Sequence, residues 1–68
     1  MDPELIGRKI RAYRKLKGYT QKSFAKELGI SVSVLGEIER GNRMPDDYIV
    51  NQVVELLNIT KEEIMKES

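Results

Sequence analysis

The sequence contains no cysteine and no histidine, and only two prolines among its 68 residues. Without cysteine there are no disulfides or thiolate metal sites, and without histidine the commonest zinc ligand sets are absent as well. The same gaps argue against an enzyme, because no pair of carboxylates stands in a pattern that suggests an active-site cleft. No cofactor, metal or small-molecule ligand is indicated. Aromatics are limited to Tyr13, Tyr19, Phe24 and Tyr48, and both prolines sit near expected helix boundaries, so neither interrupts a periodic segment. No apolar run approaches the roughly 20 residues of a membrane span, and the start MDPELIGRKI lacks the apolar stretch of a signal peptide. The expectation is a cytoplasmic protein with no membrane partner, folded as one small domain over residues 1–68 and stabilised by packing.

The net charge of +1 conceals an asymmetry. Met1 to Arg43 carries ten Lys and Arg against five Asp and Glu, whereas Met44 to Ser68 carries two against six. One half is basic and the other acidic, which bears on partners more than the total does.

Apolar spacing reads as helices throughout. Asp2 suits an N-cap with Pro3 at the first helical position, and a helix to Lys17 places Ile6, Ile10 and Tyr13 on one face, with Gly18 as its stop. Arg14 borders that face, and an arginine close to burial requires a partner. Arg8, Lys9, Arg11, Lys15 and Lys17 point elsewhere, as a solvated face with a diffuse positive field. Thr20 caps a second helix to Leu28, and Ser31 caps a third from Val32 to about Arg40, followed by Gly41. Pro45 is expected to open a fourth, with Asp46 and Asp47 at its positive end and Val50, Val53, Val54 and Leu57 inward. Asn58 closes it, and Thr60 with Glu63 forms a capping box for a short fifth helix bearing Ile64 and Met65.

The stretch QKSFAKELGISVSVLGEIER, residues 21–40, cannot be one helix, because Gly29 falls where an apolar stripe would have to continue. Two helices joined by the tight turn Gly29-Ile30-Ser31 cross steeply, and the first needs a small residue where the second passes over it. Ala25 supplies it. Ile30 fills the corner, and Phe24, Leu28, Leu35 and Ile38 bury the undersides. The expected fold is all-α, a compact five-helix bundle with a central helix-turn-helix.

Over nearly its full length the chain resembles the lambda repressor and Cro type of helix-turn-helix proteins, the XRE-like family. The resemblance rests on IGRKIRAYRKLKGYTQKSFAKELGIS, the string IERG at Ile38 to Gly41, Pro45, and the tail LLNITKEEIM. It implies binding of double-stranded DNA, with the second helix of the motif in the major groove. Carried over by position, the DNA-facing residues are Ser31, Val32, Ser33, Gly36, Glu37 and Arg40. Gln21 matches a position that touches a phosphate and braces the interface, and Lys22, Arg40, Asn42 and Arg43 are placed to grip phosphates. The family also pairs an arginine of its first helix with the glutamate of this E-R-G string, which here means Arg14 with Glu39.

Several of these residues have a second reading. Ser31 caps a helix whether or not DNA is present. Val32 is either a neutral surface residue or a contact for a thymine methyl, and Glu37 either accepts from cytosine N4 or is a repelled bystander. Gly36 departs from the pattern, since it costs about 1 kcal/mol in a helix interior and offers no side chain to a base. Asp47 departs too, at a position usually apolar. The function implied is a sequence-specific transcriptional regulator, a repressor by analogy, acting as a homodimer with Ile59, Ile64 and Met65 available for self-contact. The alternative is a protein-interaction module of the same fold, of antitoxin or antirepressor type, that uses its acidic C-terminal half.

Overall fold

The computed structural model describes residues 2–66, which form helices α1 (Pro3–Leu16), α2 (Gln21–Leu28), α3 (Val32–Glu39), α4 (Asp47–Leu57) and α5 (Lys61–Met65). Each begins at a side-chain cap. The Asp2 carboxylate accepts from the Glu4 amide at 3.0 Å, and Ser31 Oγ accepts from the Val34 amide at 3.1 Å. Thr20 and Thr60 each head a reciprocal capping box, with Ser23 and Glu63 returning a bond to the cap's own amide. Such caps satisfy amides that no helical carbonyl reaches.

Pro45 does not open α4. Asp46 is the N-cap, its carboxylate accepting from the Ile49 amide at 2.8 Å, and Pro45 lies one residue outside with its ring buried. A carboxylate bonded to an otherwise orphaned amide defines a helix start more strongly than the preset φ of proline. Asp47 is exposed in the first turn, so its charge there meets no burial cost. α1 and α3 each end one residue before expectation, with Lys17 and Arg40 as their C-caps.

The core draws on all five helices: Ile6 and Ile10, Phe24, Ala25 and Leu28, Leu35 and Ile38, Val53 and Leu57, and Ile64. Tyr13, Ile30, Val54 and Met65 pack against it half-buried. Ile64 is wholly enclosed and therefore unavailable for the self-contact expected of it, because α5 turns that face inward. Gly29 ends α2 at φ +74°, where a side chain would be strained. Among the described residues no helix is long and apolar enough to cross a membrane.

One glycine that the sequence reading passed over sets the geometry of the bundle. A Cβ at Gly7 would lie 2.2 Å from the Ile38 carbonyl oxygen and 2.7 Å from that of Glu39. The backbones of α1 and α3 thus touch at this crossing, and only a residue without a side chain permits it.

Candidate nucleic-acid interface

The orientation of α3 is fixed at its C-terminal end by a buried carboxylate. Arg14 Nε donates to Glu39 Oε2 at 2.7 Å, and Arg14 Nη2 donates to Oε1 at 3.2 Å. Oε1 also accepts from Gln21 Nε2 at 3.0 Å, while Arg14 Nη1 donates to the Tyr19 carbonyl at 2.8 Å. One side chain of α3 is thereby tied to α1, to the first residue of α2, and through Arg14 to the turn between those helices. Among the described residues no buried side-chain polar atom lacks a partner, the condition under which a buried ion pair is tolerated. The expected pair is present, and Gln21 joins it through its own bond to Glu39.

With that end held, the opposite face of α3 looks outward. Ser31, Val32 and Ser33 are exposed, and Val32 retains 43% of its surface. Lys22, Asn42 and Arg43 are exposed on neighbouring segments. Glu37 is half-exposed and has a partner that the sequence reading did not assign. Arg43 Nη2 lies 3.1 Å from Glu37 Oε1, and Arg43 Nε donates to the same oxygen at 3.3 Å. The carboxylate is partly neutralised on one oxygen, and the other has no bonded partner among the described residues. The repulsion expected between Glu37 and a polyanion is correspondingly reduced.

Gly36 is not on the open surface. It is buried beneath the side chain of Arg40, one turn further on, whose Nη1 would stand 2.9 Å from a Cβ at this position. The missing side chain is a seat for a guanidinium. Arg40 in turn faces α1, where Arg11 lines a depression with Gln21, Glu39 and Arg40. Arg11 is exposed, as expected of the solvated face of α1, and lies three residues before Arg14, on the adjoining helical row.

Two short helices joined at a left-handed glycine, the second clamped by its inner carboxylate and turned outward along its polar side, make up a helix-turn-helix domain. The family model described as "Helix-turn-helix" matches residues 10–64, and the chain belongs to this family of the lambda repressor and Cro type. It is 61% identical over 64 residues to the uncharacterized HTH-type transcriptional regulator YazB of Bacillus subtilis, an alignment covering 94% of this chain and 93% of that protein. It is 31% identical to the regulator SinR of Bacillus licheniformis, covering 93% of this chain and 58% of SinR. Among solved structures, the N-terminal DNA-binding domain of SinR from Bacillus subtilis superposes with a TM-score of 0.86 at 30% identity, covering 96% of both chains. The restriction-modification controller protein C.AhdI from Aeromonas hydrophila gives 0.87 at 28% identity, covering 94% of this chain and 97% of that one. The protein is a helix-turn-helix transcriptional regulator that binds DNA, and not an enzyme.

Proposed function

We propose that α3 enters the major groove and that Val32, Ser33 and Glu37 meet base edges, with Ser31 shared between its cap and the DNA. Lys22, Arg40, Asn42 and Arg43 would hold phosphates on either side, and Gln21 would orient the first turn of α2 toward another. The observation that carries this reading is the Glu39 node, which leaves α3 rigidly presented by its exposed side. Val32 fits a thymine methyl, and the free oxygen of Glu37 fits the donor on cytosine N4.

One such domain makes too few base contacts for operator-level discrimination, so two copies would act together on a two-fold site in the cytoplasm, as a repressor that excludes other proteins from the duplex. Ile59 and Met65, half-buried near α5, remain as self-contact residues. The relatives favour this reading over partner-protein binding through the acidic half.

Selection of bound sites from a random duplex pool tests the proposal. The expected outcome is a two-fold-symmetric consensus with half-sites about one helical turn, ~34 Å, apart. Enrichment of a single half-site would remove the dimer, and absence of any enrichment would remove sequence-specific binding.

A further inference from the structure

The groove between α1 and α3 collects positive charge that the reading face does not account for. Arg8, Arg11 and Arg40 line one open depression of about 500 Å³ together with Glu4, Glu39 and Asn42. A second depression, with Arg11, Glu39 and Arg40 in common, extends to Gln21 at the start of α2. Among the described residues, none of these three guanidinium groups has an ion-pair partner, since the two ion pairs join Arg14 to Glu39 and Arg43 to Glu37. The charge of Glu39 is already offset by Arg14, with which it is paired. Only Glu4 remains as a carboxylate in the groove, against three cations.

Three cations with one carboxylate among them leave an excess of positive charge, and an anion seated there offsets it. A guanidinium presents a planar fork that matches two oxygens of a phosphate. The Arg40 guanidinium lies over Gly36, in space that a Cβ there would approach to 2.9 Å. Both depressions are open and share Arg11 and Arg40, with the polar side chain of Asn42 lining one and that of Gln21 the other. That is the form of a track for a chain of phosphates.

We propose that this groove holds the DNA backbone beside the base pairs met by α3, with Arg8 and Arg11 of α1 adding phosphate contacts to that of Arg40, and with Gly36 serving as the seat of Arg40. The inference rests on the DNA-binding reading above. α1 is then part of the interface and more than a solvated face.

The test measures the dependence of duplex affinity on salt for three proteins on one selected site. Each phosphate contact removed lowers the slope of log affinity against log salt by about 0.9, so Arg8→Gln with Arg11→Gln should lower it by roughly 1.8 while leaving the selected consensus unchanged. Gly36→Ala keeps every charge and favours the helix, yet it displaces Arg40. It should bind about tenfold more weakly while its melting temperature is unchanged or raised, an outcome a diffuse positive field would not produce. A double-variant slope within about 0.5 of the wild type, or Gly36→Ala binding like the wild type, overturns the proposal. Wild-type protein that binds no duplex overturns the DNA-binding reading along with it, whereas wild-type binding with unaltered slopes removes the groove alone.

Discussion

Glu37 and Glu39 lie two residues apart on α3, yet the side chain of Glu39 is 2% exposed and that of Glu37 is 38% exposed. Both have an arginine partner. Glu39 uses both oxygens in three hydrogen bonds that join α1, α2 and α3, whereas Glu37 uses one oxygen on a residue of the following turn. The same functional group is structural on one side of the helix and available to a ligand on the other. Burial and the count of satisfied lone pairs make the difference. Removing a partner from an enclosed ion strands a charge, while an exposed pair is worth roughly 0–1 kcal/mol and is screened by salt.

The contrast can be broken first at its inner side. Arg14→Met alone should cost on the order of 3 kcal/mol, and combination with Glu39→Leu should restore much of it, because a buried pair replaced as a unit leaves no stranded charge. Denaturant unfolding of the four proteins of the cycle measures this, and simple additivity would refute it.

A pair of glycines extends the comparison. Gly7→Ala places a methyl against the carbonyls of Ile38 and Glu39 and should lose about 1–3 kcal/mol despite the better helix propensity of alanine. Gly36→Ala, under the movable end of Arg40, should lose nothing in stability. Thermal unfolding of both variants checks the difference, and equal melting temperatures would mean that the crossing relaxes.

At the outer side, Glu37→Gln should move the preferred base from cytosine toward adenine at one position per half-site, with discrimination of roughly 1–3 kcal/mol there. Its effect on folding should stay within about 0.5 kcal/mol. Site selection for the two proteins at one salt concentration is the measurement. A uniform gain in affinity with no altered preference would leave Val32 and Ser33 as the readers. The smallest effect belongs to Arg43→Gln, which should leave stability within about 0.5 kcal/mol while weakening binding to all sequences, because the Glu37 charge then faces the DNA without compensation. Affinity for random duplex reads it, and a gain in place of a loss would contradict the neutralising role.

What was legible in the sequence was what neighbours in the chain decide. Thr20, Gly29, Ser31, Asn58 and the Thr60–Glu63 box act within a few residues of themselves, and each stands where the spacing placed it. The Arg14–Glu39 pair was also legible, because an arginine at the edge of an apolar stripe needs a carboxylate and the family resemblance indicated which. What was not legible depends on where separate segments pass one another. Gly7 matters because α3 crosses there, Pro45 yields to Asp46 through a bond to Ile49, and Glu37 meets Arg43 only after the chain has turned beyond Gly41. An interior glycine in a helix is a cost without a local return, and that was the available clue for both Gly7 and Gly36.

The clamp on Glu39 has a consequence for how such a regulator changes over generations. Since the residues that hold α3 in place are enclosed and those that would meet bases are exposed, Val32, Ser33 and Glu37 can be exchanged without disturbing the fold. Surface exchanges of this kind typically shift stability by no more than about 0.5 kcal/mol. A duplicated copy could therefore acquire a new target by a handful of point changes, each intermediate still folded, while the scaffold beneath is inherited intact.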